Sequence, residues 1–224
     1  MVRASGRIDI PSLEDDGLFT PEVGDWAEDK YRLVKLYSTV FTKSMHGKWD
    51  QLAYVDLFSG AGRSRIRGTQ RIVPASPVLA LSLNPRFDRY VFCDADEQLL
   101  STLSVRVTRD FPDVDVRYLS GDVNEQAPAI LAALPQPRPR RRVLSFCFAD
   151  PFGLRNLEFR TIEQLAARYM DFLVLVPSGY DGTRNQVIYW KPGNPTIDRF
   201  LGNQGWRPRW EAEVLSNVVD REIR

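Results

Sequence analysis

The sequence predicts an α/β fold, a doubly wound and mostly parallel sheet flanked by helices. Three observations carry that prediction. Short apolar runs alternate with stretches of helical periodicity as far as Val176. The run Val143 to Ala149 is apolar almost throughout, as a strand covered on both faces requires. The run Tyr54-Val55-Asp56-Leu57-Phe58 passes directly into Ser59-Gly60-Ala61-Gly62, a strand-to-glycine-loop junction of the kind that lets a backbone approach a ligand. Strands alternating with helices imply right-handed crossovers between parallel neighbours.

The elements follow in order. Residues 1–20 read as a flexible polar arm, and 21–224 as one domain whose C-terminal part is expected to be truncated or short. Apolar residues recur at helical spacing from Trp26 to Met45, and the first strand is Leu52 to Phe58. The basic stretch Arg63 to Ala75, centred on Gly68-Thr69, suits a small hairpin or flap. Ser76-Pro77 reads as an N-cap with proline in the first turn of a helix reaching Leu83. Strand two is Arg89 to Cys93, a helix covers Glu97 to Arg109, and strand three is Val114 to Leu119. A helix from Glu125 to Leu134 precedes the proline- and arginine-rich linker 135–142, which cannot be helical. Strand four is Val143 to Ala149, followed by a helix from Leu157 to Tyr169 and strand five from Asp171 to Val176. Beyond it, short pieces are expected near Val187 to Trp190, Thr196 to Leu201 and Glu211 to Val219.

Composition narrows the classes. A chain of 224 residues, 43% hydrophobic and 26% charged, suits one globular domain. A net charge of +1 gives no global attraction for nucleic acid, so such contact needs local patches. No run approaches the roughly 20 apolar residues of a membrane span, and Met1 to Asp16 lacks the apolar region of a secretory signal. The two cysteines, Cys93 and Cys147, sit in apolar runs and read as buried thiols, with the cytoplasm as the expected compartment. The single histidine, His46, makes a catalytic triad or a histidine-based zinc site an unfavoured reading, and no metal is expected.

The candidate chemistry lies at the strand ends. Asp56, Asp94, Asp122 and Asp150 each follow a successive strand, and carboxyl ends of parallel strands open on one crevice. Each alone could be a helix cap or a turn former. An acid just before the glycines repels phosphate and suits a cation, which points to S-adenosylmethionine (SAM). In that reading Asp56 meets the amino group, while Gly60 and Gly62, beside Phe58, allow close approach. Asp94, beside Ala95, accepts from both ribose hydroxyls. Asp122 accepts from the adenine amine, and Val123 offers its backbone N–H. Asp150-Pro151-Phe152-Gly153 would hold an acceptor amine, with Phe152 stacking on a flat base; the alternative is a strand-end turn with Phe152 in the core. A nicotinamide cofactor fits less well, since Arg65 stands where a third glycine belongs and Asp94 is too distant. Arg63, Arg65, Arg67 and Arg71 are candidate phosphate contacts or an exposed flap. Arg138, Arg140, Arg141 and Arg142 precede strand four and read as a solvated or partner-facing linker. Trp190, Trp206 and Trp210 read as core or interface residues.

Trp26, Asp29-Lys30-Tyr31, Leu36-Tyr37, Tyr54 to Arg63, Ala75-Ser76-Pro77, Asp94, Gly121-Asp122-Val123-Asn124 and Asp150-Pro151-Phe152-Gly153 together resemble the three-Cys-motif partner proteins (TcmP). The match runs from about residue 23 to residue 185 and includes Arg184-Asn185. The resemblance implies a Rossmann-like SAM-dependent methyltransferase fold and a cysteine-motif partner protein. Ser59 and Ala61 replace the alanine and proline common in that family's loop. The Asp-Pro-Phe-Gly segment is also similar to that of tRNA guanine-N2 dimethyltransferases, which implies a nucleobase amine as acceptor. The expected enzyme is therefore a SAM-dependent methyltransferase with Asp150, Pro151 and Phe152 at the acceptor. Arg63, Arg65, Arg67, Ser178, Arg184 and Asn185 would contact a nucleic acid substrate. The alternatives are a catalytically inactive SAM- or nucleotide-binding module of a partner complex, and a nicotinamide-dependent oxidoreductase.

Overall fold

A computed structural model describes residues 9–177, 181–182, 184–191 and 193–212. After the two-residue strand β1 (Glu22–Val23), α1 (Ala27–Met45) leads into β2 (Gln51–Asp56). The strands β3 (Arg63–Ile66) and β4 (Ile72–Pro74) form the expected hairpin, and β1 pairs in parallel with β3 to make a small three-stranded sheet. Then follow α2 (Ser76–Leu81), β5 (Arg89–Asp94), α3 (Glu97–Asp110), β6 (Val116–Ser120), α4 (Val123–Ala133) and β7 (Val143–Ala149). A 3-10 turn at Leu154–Asn156 precedes α5 (Phe159–Leu165), β8 (Met170–Val174), α6 (Gln186–Tyr189) and α7 (Thr196–Leu201).

The main sheet has the order β6-β5-β2-β7-β8, with every pairing parallel. The chain runs outward from β2 to β5 and β6, then returns to β7 on the other side of β2. That reversal puts the topological switch point beside β2, where open α/β sheets bind ligands. Each face is covered. Val34 and Phe41 of α1 and Leu100, Leu103 and Val107 of α3 pack on Tyr54, Phe92 and Phe146. Val123, Ala127 and Ile130 of α4 and Leu165 of α5 pack on Val55, Val91 and Cys147. Full burial of such side chains contributes about 2 kcal/mol each. This is the doubly wound α/β fold expected from the alternation of apolar runs. No helix among the described residues is long and apolar enough to cross a membrane.

Several boundaries differ from the sequence expectation. Ser76 is the first residue of α2, with Ala75 at the cap position; its side chain instead bonds Asp56. Helix α4 starts two residues earlier than expected because Asp122 caps it. Helix α5 is shorter than Leu157 to Tyr169, since the 3-10 turn buries Leu154 and Leu157 ahead of it. The short piece expected at Glu211 to Val219 lies outside the described residues from 213 onward, as does Ser178.

Residues 9–20 do not behave as a loose arm. Ile10 is buried with Tyr31, Ile66 and Val73. The Leu13 N–H donates to the Ile72 carbonyl at 2.8 Å. Arg106 of α3, fully buried, donates to both carboxylate oxygens of Asp16 at 2.9 and 2.8 Å and to Thr20 Oγ1 at 2.9 Å. A buried guanidinium is tolerable only when paired and hydrogen-bonded in this way. A short polar segment rich in acids looks like disorder in sequence; the partner that orders it lies ninety residues away.

Candidate functional site

Register brings the four acids together. Asp56 closes β2, with Phe92 and Phe148 as its neighbours in β5 and β7, and Phe92 pairs in turn with Tyr118 of β6. Asp94 and Asp150 lie two residues beyond those neighbours, and Asp122 four beyond Tyr118. With strands about 4.8 Å apart, all four stand along one carboxyl edge across β6, β5, β2 and β7.

Asp56 is fully buried. It accepts the Phe58 N–H at 3.3 Å and the Tyr54 hydroxyl at 3.2 Å, and bonds Ser76. Burial pushes its carboxyl up to about 7, against the pull of those donors. Asp94 accepts the Gly60 N–H at 2.7 Å and the Asp96 N–H at 2.9 Å, and burial raises it above the usual carboxylate range. It therefore fixes the glycine loop, with lone pairs left for other donors. Asp122 caps α4, accepting the Asn124 N–H at 2.8 Å, so its capping role is realised. Asp150 accepts Lys30 Nζ at 2.6 Å. Burial works against the Lys30 ammonium, but Tyr31, Asp150 and Asp56 around it more than offset this and lift its pKa.

The two loop glycines do different things. Gly60 has φ +60, and a Cβ there would meet nothing within 4 Å; it opens on free space. Gly62 has φ +80, and a Cβ would lie 2.7 Å from Leu103 Cδ1. Gly62, expected to border the cofactor, thus serves core packing. Between them and β2, Phe58 is half-buried against the α4 face, and the Ser59 hydroxyl is buried without a partner among the described residues. Ala95 is exposed beside Asp94, while Val123 is buried with its side chain in the core. A buried orphan hydroxyl, a glycine facing open space and a rim of carboxylates make a donor set that fits a polar, cationic ligand such as SAM.

Pro151 is buried, and Phe152 is 81% exposed, so the core alternative for that ring does not hold. Two residues missed by sequence reasoning hold this loop. Asp181, buried, accepts the Leu154 N–H at 2.7 Å, the Tyr189 hydroxyl at 2.8 Å and Asn185 Nδ2 at 2.7 Å. A Cβ at Gly153 would stand 2.9 Å from Asp181 Oδ2, so glycine is needed there for close approach. Asn124 donates to Asp122 and to the Asn156 carbonyl, and accepts the Glu158 N–H at 2.8 Å, tying the third strand end to the fourth. Its place in Gly121-Asp122-Val123-Asn124 was the available signal.

The basic residues are otherwise engaged. Arg63 pairs with Asp16 and Asp110, Arg65 with Asp15, and Arg71 with Glu28. In this structure these charges pair with the N-terminal segment, α1 and α3. Arg67 is exposed on the hairpin and Arg184 beyond β8, while Asn185 serves Asp181. Both thiols are fully buried and burial pushes Cys93 up to about 12, so neither is a nucleophile. Trp190 and Trp210 pack edge to face at 5.1 Å.

Comparison with protein-family models and with curated proteins finds no match. Among solved structures, the fold is similar to a Legionella pneumophila protein of family DUF519, with 15% identity and a TM-score of 0.42, covering 62% of this chain and 65% of that one. It is similar to a conserved hypothetical protein of Streptococcus pyogenes at 16% identity and a TM-score of 0.32, covering 59% and 68% of the two chains. It is also similar to yhhF of Escherichia coli, described as a candidate methyltransferase, at 17% identity and a TM-score of 0.38, covering 65% and 75%.

Proposed function

We propose that this chain is a SAM-dependent methyltransferase that methylates an exocyclic amine of a nucleic acid base and works with a cysteine-motif partner of the TcmP type. The observation that carries the proposal is the convergence of Asp56, Asp94, Asp122 and Asp150 on the carboxyl edge at the switch point. SAM, when bound, supplies a methyl group made electrophilic by its sulfonium. The protein's part is binding and orientation. Asp56, buried and near neutrality in its pKa, ionises in the presence of a cation. Asp94 fixes the loop that borders the cofactor and accepts from its ribose hydroxyls. Asp122 accepts from the adenine amine beside Val123. Asp150 accepts an N–H of the acceptor amine and turns its lone pair forward, and the exposed Phe152 ring offers a stacking face for the base. Orientation is then the main catalytic contribution.

The test is transfer of labelled methyl from SAM to pools of tRNA, rRNA, DNA and protein, with wild type and Asp150→Ala. Label in a nucleic acid pool, lost in the variant, supports the proposal; label in protein alone contradicts the substrate class.

One observation favours a second reading. Lys30 occupies Oδ2 of the Asp150 carboxylate that an acceptor amine would need. A chain with that pair permanently closed would bind SAM without turnover, as a regulatory module of a partner complex. SAM binding with no transfer to any pool, with or without the partner, would support this reading over the first.

A further inference from the structure

A cavity lies at the other end of the sheet from the four acids. It holds about 390 Å³ and sits where β7 and β8 begin, between the 135–142 linker and the turn after α5. Ser145 of β7, which lines it, stands five residues before Asp150, roughly 16 Å of strand. It is therefore remote from the carboxylate edge.

Three features of its lining converge on one ligand chemistry. First, four arginines line it, Arg138, Arg141, Arg142 and Arg168, with no aspartate or glutamate among the lining residues. Arg142 stands 3.8 Å from Asp50 and lies over the Trp49 ring, and Arg168 donates to Gln136. Arg138 and Arg141 form no ion pair among the described residues. They are joined by mutual backbone hydrogen bonds at 3.2 and 2.9 Å across a tight turn. Arg140 at its tip has φ +65, a left-handed conformation that costs a non-glycine residue about 1 kcal/mol. The turn thus holds two uncompensated guanidinium groups at one rim. Second, part of the lining is apolar: Leu134 and Pro135 are buried, while Ala166, Ala167 and the Tyr169 ring, packed 5.4 Å from Trp49, are exposed, the tyrosine by 72%. Third, Ser145 is 1% exposed, lines the cavity, and its hydroxyl has no partner among the described residues. A buried orphan hydroxyl costs about 1–3 kcal/mol unless something bonds it.

An arginine rim takes phosphate, an apolar lining takes a flat ring, and a hydroxyl that donates and accepts reads a heteroatom at the ring edge. The volume lies within the range of small-ligand pockets, about 300–1,000 Å³. We infer that this cavity is a nucleotide-binding site, with the phosphate on Arg138 and Arg141 and the base on the apolar part of the lining, bonded to Ser145. The same chemistry has two sources, a free nucleoside monophosphate or one nucleotide of an RNA chain. The inference is independent of the methyltransferase reading.

The experiment titrates the full chain with AMP, GMP, CMP and UMP, with inorganic phosphate, and with a 12-nucleotide single-stranded RNA. It is repeated on Arg138→Glu/Arg141→Glu and on Ser145→Ala. These side chains hold no partner whose loss would unfold the protein, so thermal midpoints are expected within a degree or two of wild type, with Ser145→Ala equal or higher. At least one nucleotide form is expected to bind ten-fold or more tighter than inorganic phosphate. Charge reversal should weaken it at least ten-fold and Ser145→Ala several-fold, with SAM titrations unchanged in both variants. Binding of a free monophosphate identifies that source; binding of the oligonucleotide alone identifies a nucleotide within a chain. The inference is overturned if neither exceeds inorganic phosphate, or if binding survives charge reversal.

Discussion

Lys30 and Asp150, 120 residues apart in sequence, form an ion pair of 2.6 Å at the carboxyl edge of the sheet. The ammonium also lies 5.0 Å from the centroids of both the Trp26 and Tyr31 rings. Both side chains are partly shielded, which makes the pair worth more than an open surface bridge. A double-mutant cycle of Lys30→Met and Asp150→Asn should give a stabilising coupling of about 1–2 kcal/mol. Additive effects in urea unfolding would show that the pair is closed only weakly and that Asp150 is open to an acceptor.

The buried Asp56 carboxylate should make SAM binding depend on pH. Its folded pKa of about 7 lies above the unfolded value of 3.8. The protonated form therefore prevails below 7, and affinity for a cationic ligand should rise from pH 6 to pH 8. Folding stability moves the other way. The folded state binds more protons between about pH 4 and 7, so this group's contribution falls as pH rises through that window. Asp56→Asn should raise the thermal midpoint most at pH 8, less at pH 5 and little below pH 4, and weaken SAM at least ten-fold. A midpoint lowered equally at all these pH values would contradict the burial penalty assigned to Asp56.

Gly60 and Gly62 should separate binding from packing. Gly60→Ala has room for its Cβ and bears only a positive-φ penalty of about 1 kcal/mol; it should lose SAM affinity with a small fall in midpoint. Gly62→Ala adds a 2.7 Å contact with Leu103 and should cost about 2–4 kcal/mol in chemical denaturation. Equal destabilisation by the two would remove the distinction.

Asp16 and Arg106 should behave as a buried pair. Hydrogen bonds from Arg106 hold the Asp16 carboxyl well below the usual carboxylate range despite its burial. Its stabilisation is then complete above the unfolded pKa and is lost as pH falls below about 4. Asp16→Asn leaves a buried guanidinium with one charge partner fewer, at a cost of about 3 kcal/mol. Arg106 Nη1 also donates to the Ala61 carbonyl at 2.7 Å, so the substitution should loosen the glycine loop and weaken SAM as well. An unchanged midpoint at pH 7 would contradict this.

The sheet was legible in the sequence because local pattern and global burial agree: β7 spans Val143–Ala149, as its unbroken apolar run implies. The four acids were legible because parallel strands put successive ends on one edge. What sequence concealed was pairing at a distance. Arg63 and Arg65 gave no local sign of their pairs with Asp16 and Asp15. Ser76 looked like a cap because nothing nearby revealed its bond to Asp56. Lys30 stands in a motif to which sequence attaches no role and Asp181 in none, and their roles follow only from contacts across 120 and 27 residues.

Calorimetric titration of SAM into the full chain at pH 8, beside Asp94→Ala, is the most direct measurement of the carboxylate edge. One site is expected, weakened at least ten-fold by Asp94→Ala, with NAD giving no heat. No heat from SAM, or equal affinity in the variant, would mean that Asp56, Asp94 and Asp122 do not form a cofactor site.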